Sequence, residues 1–113
     1  MPDRQEGKGS EKVQIAVCDD EKEIRDMFAE KIKRFYPKAD LLLYASGEEL
    51  LLSDSQPDIL LLDIQMPGKN GMETAKELRK NDKKAIIIFV TALEISFLYI
   101  HSISHLILLL RIL

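Results

Sequence analysis

The strongest constraint on the fold of this chain is the regular alternation of short apolar runs with amphipathic segments. Four runs rich in Leu, Ile and Val indicate β-strands: Val13–Cys18, Asp40–Tyr44, Asp58–Leu62 and Ala85–Val90. The third run (DILLL) is apolar without alternation, as expected for a strand that is buried on both faces. This order predicts an α/β fold, with a parallel sheet and helices on both of its faces.

The segments between these runs have helical signals. Apolar residues recur at steps of three and four in the first segment (Ile24, Met27, Phe28, Ile32 and Phe35) and in the third (Met72, Ala75 and Leu78). A short second helix is expected through Leu50–Leu52. The pairs Asp20 with Glu23 and Ser46 with Glu49 predict capping boxes at the starts of the first and second helices.

Length and charge limit the classes of protein that need consideration. A chain of 113 residues is one domain. Its net charge of −3 argues against general binding to nucleic acids or anionic membranes. Its single cysteine excludes an internal disulfide framework and a cysteine-based zinc site. Residues 1–12 are polar, so we expect a flexible lead without a signal peptide and a cytoplasmic protein.

Acidic and hydroxyl residues follow three of the predicted strands. Asp19 and Asp20 come after the first strand, Asp63 after the third and Thr91 after the fourth. Since the carboxyl ends of parallel strands share one edge, three carboxylates converge there if the first and third strands are neighbours. Such a cluster of oxygen ligands suits Mg²⁺. A carboxylate is also a nucleophile toward phosphorus.

Ordinary structural roles account for each of these residues taken singly. Asp20 is a good helix N-cap, and Asp19 fits a solvated loop. Asp63 and Thr91 stand where a chain leaves a buried core, which is a common place for polar residues. The agreement of all of them on one sheet edge favours the chemical interpretation.

Three runs of sequence point to a known family. VCDDEKEIR, PDILLLDIQMPGKNGMETAKELR and IIIFVTALE resemble the receiver domain of bacterial two-component response regulators, and are most similar to receivers of the LytTR type. The resemblance covers Val13 to Glu94. It implies a flavodoxin-like, doubly wound parallel sheet with strand order 2-1-3-4-5. It also implies that a sensor histidine kinase donates a phosphoryl group to an aspartate.

The resemblance assigns roles to individual residues. Asp63 matches the phosphoacceptor, and Asp19 and Asp20 match the acidic pair that holds Mg²⁺ with it. Gln65 matches the position whose backbone carbonyl completes the metal site. The remaining matches are to the switch hydroxyl that binds a phosphoryl oxygen (Thr91), the small neighbour that leaves room for the phosphoryl group (Ala92) and the turn beyond the acceptor (Pro67 and Gly71).

The chain departs from the family after Glu94. The family ends its fifth strand with a Lys-Pro pair, and here Arg111 stands near the lysine position. Arginine is a planar fork and not an equivalent of lysine. The family's fifth helix is expected to be missing because the sequence stops at Leu113, which would leave apolar sheet surface exposed or paired with another chain.

Residues 95–113 allow three interpretations. Arg111 is their only Asp, Glu, Lys or Arg. They form a divergent fourth helix (Ile95–Ser102) and fifth strand (Leu106–Leu110, parallel to Ala85–Val90), or a non-native end that replaced the original sequence, or a membrane tail. His101, His105 and Arg111 argue against the membrane tail.

The expected function is therefore that of a signalling phosphoacceptor and not of an enzyme, with Mg²⁺-dependent self-phosphorylation and slow dephosphorylation only. The alternative is a degenerate or truncated receiver that acts as an interaction module without phosphorylation-dependent switching. Expected partners are a sensor histidine kinase and a second copy through residues 95–113. Direct nucleic-acid binding and membrane association are not expected.

Overall fold

The sheet of this protein has the strand order 2-1-3-4-5 that the sequence predicts. The computed structural model describes residues 12–90 and the backbone of residues 111–112. The strands are β1 (Gln14–Cys18), β2 (Asp40–Tyr44), β3 (Ile59–Asp63), β4 (Ile86–Val90) and β5 (Arg111–Ile112). The helices are α1 (Lys22–Phe35), α2 (Gly47–Leu52) and α3 (Gly71–Asn81).

Strands β1 to β4 are all parallel. β1 pairs with β2 on one side and with β3 on the other, and β3 pairs with β4. The reversal of strand order between β1 and β3 places a crevice at their carboxyl ends. The expected flavodoxin-like fold class is thereby confirmed.

β5 differs from the expectation of a parallel fifth strand. It has two residues and runs antiparallel to β4, with Arg111 opposite Ile88 and Ile112 opposite Ile87. The helix and strand predicted at Ile95–Ser102 and Leu106–Leu110 lie outside the described residues. No helix in the described part of the chain is long and apolar enough to cross a membrane.

Two apolar layers cover the sheet, one on each face. On one face Ile24, Phe28 and Ile32 of α1 pack against β1 and β3. On the other face Leu50 of α2 and Leu78 of α3 pack against alternate residues of the same strands. Burial on both faces explains why the central strands consist almost entirely of apolar residues with branched side chains.

The helix periodicity predicted the buried faces except at their ends. Phe35 and Met72 were predicted to be apolar-face positions, but they are 67% and 43% exposed. Phe35 ends α1, and Met72 is in the first turn of α3. Phe35 therefore extends past the sheet, whereas Met72 lies beside the buried face of α3, which is formed by Gly71, Thr74 and Leu78.

Acidic site at the carboxyl edge of the sheet

The structure brings three of the predicted site residues together. Asp19 follows β1 directly, and Asp63 is the last residue of β3. Because β1 and β3 are paired, with Cys18 opposite Leu62, the two acids leave the sheet side by side. One carboxylate oxygen each of Asp19, Asp20 and Asp63 lies within 4.8 Å of the others. Asp19 and Asp63 are only 2% and 3% exposed, whereas Asp20 is exposed.

Backbone groups hold the two buried carboxylates in place. The Glu21 N–H donates to Asp19 Oδ1 at 2.9 Å, and the Gln65 N–H donates to Asp63 Oδ1 at 3.3 Å. The nearby guanidinium of Arg25 donates to the main-chain carbonyl of Asp19 at 2.7 Å and not to a carboxylate. Within the described residues, no lysine or arginine forms a salt bridge with the three acids.

Burial and mutual repulsion favour the protonated form of these carboxyls. Loss of solvent contact, followed by the charge of Asp19, raises the pKa of Asp63 to about 7. Loss of solvent contact raises the pKa of Asp19 to about 6, against the opposing effect of the Glu21 N–H. Like charges and desolvation both disfavour the ionised form, so the cluster calls for a proton or a cation.

The loop after Asp63 is held close to the site by a glycine. The Gly71 N–H donates to the Ile64 carbonyl at 2.8 Å, which brings the start of α3 against the end of β3. A Cβ at Gly71 would overlap the Asp63 carbonyl oxygen and lie 2.8 Å from Ile64 Cα. Glycine is therefore required here by close approach of two backbone segments.

A second support of this loop was not anticipated from the sequence. Glu48 Oε2, at the start of α2, accepts from the Lys69 N–H at 3.0 Å. The backbone N–H groups of Glu48 and Lys69 together lower the pKa of the Glu48 carboxyl. Next to Lys69, Gly68 has a φ of +72°, a left-handed conformation that suits glycine. A long-range contact of this kind has no local sequence pattern.

Cys18 lies directly beneath the acids. It is fully buried, and its Sγ is 3.9 Å from Met66 Sδ. Burial and the neighbouring charges of Asp19 and Asp63 raise the pKa of the thiol to about 12. The sulfur is therefore a packing atom below the site and not a thiolate ligand.

The other predicted site residues divide into two groups. Gln65 lies two residues after Asp63 in the described loop. The hydrogen bond from its N–H to the Asp63 carboxylate orients the backbone of this loop. Thr91, Ala92 and the side chain of Arg111 lie outside the described residues. The backbone of Arg111 pairs with Ile88, two residues before the end of β4.

The donor set suits a hard divalent cation. It consists of carboxylates without sulfur or imidazole, and Mg²⁺ prefers such oxygen ligands while keeping several waters. Two of the carboxylates are buried without a cationic partner among the described side chains, and Asp20 keeps one side open to solvent. The residues present therefore fit Mg²⁺.

Comparisons with known proteins agree with this arrangement. The family model of the response regulator receiver domain matches residues 15–105. The sensory transduction protein LytT of Oceanobacillus iheyensis is 38% identical over 90 residues, which make up 74% of this chain and 35% of that protein. This chain therefore spans about a third of the length of that relative.

Solved structures give the same result. The response regulator TrrA of Thermotoga maritima, in complex with Mg²⁺-BeF, is 38% identical with a TM-score of 0.64, over 71% of this chain and 70% of TrrA. A complex of the histidine kinase ThkA with TrrA matches at 37% identity and a TM-score of 0.64, over 73% and 71% of the two chains. With its strand order, its paired acids after β1 and the aspartate that ends β3, the chain belongs to the response regulator receiver domain family.

Proposed function

We propose that Asp63 accepts a phosphoryl group from a phosphohistidine of a sensor histidine kinase. In this proposal Asp19, Asp20, Asp63 and the backbone carbonyl of Gln65 hold Mg²⁺. The observation that carries it is the convergence of three carboxylates within 4.8 Å, with two of them buried and none paired to a described cationic side chain. Burying these like charges together destabilises the folded protein. A functional role of the site would account for this loss of stability.

The chemistry assigned to Asp63 is a direct displacement at phosphorus. A carboxylate oxygen of Asp63 forms a bond to phosphorus while the phosphorus–nitrogen bond of the donor breaks. The imidazole nitrogen keeps the electron pair of that bond. Bound Mg²⁺ would neutralise charge on the transferring group and favour the ionised carboxylates. The Gln65 N–H donates to Asp63 Oδ1, and in this proposal Oδ2 is the oxygen that reacts.

A histidine kinase as donor is supported by a relative. TrrA is 37% identical to this chain in the structure in which it is bound to ThkA. We extend that pairing to this chain as part of the proposal, together with the cytoplasmic location expected from the sequence.

The proposal is tested by incubation with acetyl phosphate and Mg²⁺, followed by intact mass spectrometry. We expect one phosphoryl adduct on the wild type and none on Asp63→Asn. A matched control is Asp26→Asn on the exposed face of α1, where the carboxylate pairs with Lys22. This control should be labelled like the wild type. An adduct on Asp63→Asn equal to that on the wild type would contradict the assignment.

One observation favours the alternative of a receiver that binds partners without switching. The register of β5 places Arg111 beside Ile88, which lies within β4 and not beyond the carboxyl end of β4. The lysine of the family is expected at the site itself. Under this alternative the protein still binds Mg²⁺, but amide exchange in β4 is the same with and without acetyl phosphate. A change there on labelling would exclude it.

A further inference from the structure

An apolar groove lies on the α1 face of the sheet and reaches its amino end, the end opposite to the acidic site. Its volume is about 980 Å³, and its floor includes Ile15, Ile59, Leu61 and Ile88. Ile15 pairs with Ile59, and Ile59 pairs with Ile86 on the next strand. Side chains of paired residues share a face of the sheet. Ile86, which is 38% exposed, therefore continues the same apolar row.

Cationic residues stand at both margins of this row. Lys12 and Lys38 line the groove near the start of β2. At the other margin Arg79, Lys83 and Lys84 line a hollow of about 360 Å³ that also contains Ile86. Four adjacent strands lie between the margins, which is about 14 Å at the usual strand spacing.

The five cations outnumber the three carboxylates of this region, which are Asp40, Asp58 and Asp82. Asp40 pairs with Lys12 at 3.8 Å, and the exposed Asp58 accepts from the Gln14 N–H at 2.8 Å. Asp82 is buried; its Oδ1 accepts from the N–H groups of the two residues that precede β4, whereas its Oδ2 has no hydrogen-bond partner. In the described part of the chain, no carboxylate forms a salt bridge with the remaining cations, which are Lys38, Arg79, Lys83 and Lys84.

We propose that this surface binds an acidic amphipathic helix of a partner protein. The apolar side chains of the helix would fill the groove, and its carboxylates would meet the cations at the two margins. α1 itself packs on this face, so the partner helix would lie beside it, over Ile59, Ile86 and Ile88 of β3 and β4. Docking of an amphipathic helix in an apolar groove is a common mode of peptide recognition. None of the residues that line this surface belongs to the acidic site.

Shape and charge favour a helix over other anionic partners. The apolar surface is concave, whereas insertion into a bilayer requires apolar side chains that protrude. A nucleic acid would meet an apolar floor and a chain whose net charge is −3. The opposite polarity of the two sheet ends, acidic at the carboxyl end and cationic at the amino end, would orient the approaching helix.

The test is a titration of the full-length protein with a fluorescent synthetic helix that has leucines on one face and glutamates at its flanks. A matched peptide has lysine in place of each glutamate. We expect saturable binding of the acidic peptide, weaker binding at high salt and no binding of the basic peptide. The double variant Lys38→Glu with Lys84→Glu should weaken binding by about tenfold or more. The control Lys76→Glu reverses an exposed charge in the middle of α3 and should not change binding.

Other occupants of the groove give distinct results that would overturn the proposal. If residues 95–113 of the same chain cover it, the full-length protein binds neither peptide. If a second copy covers it, the molecular mass in solution rises with concentration, and Ile86→Gln restores the monomer. Equal binding of the two peptides, or binding to phosphatidylglycerol vesicles in preference to the acidic peptide, would also contradict it.

Discussion

Asp19 and Asp63 lie side by side, almost completely buried, at the end of the sheet. Each has a pKa raised well above that of an exposed aspartate, to about 6 and about 7. A carboxyl whose pKa is raised by folding stabilises the folded protein when it is protonated. That contribution is present below the ordinary pKa of aspartate and is lost as the pH rises through about 6 and 7. The metal-free protein should therefore become less stable across this range.

The variant Asp63→Asn should raise the free energy of unfolding of the metal-free protein by about 2–4 kcal/mol at about pH 8. The reason is that asparagine removes a buried charge next to Asp19. At about pH 5 the wild-type carboxyl is already protonated, so the difference should be small. Urea unfolding at the two pH values, with and without Mg²⁺, measures this. Equal effects at both values would contradict the assigned repulsion, and Mg²⁺ should stabilise the wild type more than the variant.

Gly71→Ala should lower the free energy of unfolding by about 1–3 kcal/mol and weaken Mg²⁺ binding. The added methyl group would overlap the Asp63 carbonyl, so the loop after β3 must move. Thermal unfolding and a Mg²⁺ titration test the two effects. Met72→Ala is a matched control at the next position, where the side chain is 43% exposed. A Gly71→Ala protein with wild-type stability and metal affinity would show that the close approach is dispensable.

At the level of helices and strands, the sequence predicted the elements better than their first residues. The predicted capping box of Asp20 with Glu23 is wrong, because the N-cap of α1 is Glu21 without a side-chain cap. Asp19 and Asp20 are instead part of the acidic site. The Asp19 carboxylate accepts from the Glu21 N–H. The predicted cap at Ser46 is confirmed by its bond from the Glu49 N–H, but the box is not closed, because the Glu49 side chain accepts from the Ala45 N–H. A local capping pattern therefore mispredicts the N-cap where the candidate capping residues belong to a site formed by tertiary contacts.

The opposite case is α3, which begins with a cap that the sequence analysis did not predict. Asn70 is the N-cap of α3, and with Glu73 it forms a complete capping box. The dipeptide Asn70-Gly71 supplies the cap and the glycine that contacts the Asp63 backbone. This double role was not predictable, because the second contact joins residues that are close only after β3 and α3 have packed.

Asn70→Ala should lower the free energy of unfolding by about 1 kcal/mol, since it removes the acceptor for the Glu73 N–H at the start of α3. Chemical denaturation measures the change. Asn81→Ala, an exposed change at the other end of the same helix, is the control and should be close to neutral. Equal losses in the two variants would contradict the assigned cap, since alanine has the higher helix propensity and cannot itself account for a loss.

In the molecule as a whole, the central strands and the edge strand differ in burial. The apolar residues of β1 and β3 are almost entirely inaccessible, whereas β2 is partly exposed along its length. The strand order was predictable through the resemblance to receivers, and the buried strands through their composition. The antiparallel direction of β5 was not predictable, because Arg111 and Ile112 lie beyond residue 105, where the match to the family model ends.

Amide hydrogen exchange should reflect this layered protection. We expect the slowest exchange at Ala16–Val17 and Leu60–Leu62, which open only on global unfolding, and faster exchange at Leu41–Leu43 of β2. Mass spectrometry of peptic fragments, or two-dimensional NMR, provides the rates. Uniform protection across the four parallel strands would contradict the expected order.

The position of Cys18 gives the protein a built-in chemical reporter. It is the only cysteine of the chain, and it is sealed beneath the acids with its thiol held in the unreactive protonated form. Because the sulfur packs in the apolar layer with Met66 and Leu50, a maleimide can reach it only when that layer opens. The labelling rate therefore measures how often the layer next to the acidic site opens, and we expect it to fall on addition of Mg²⁺.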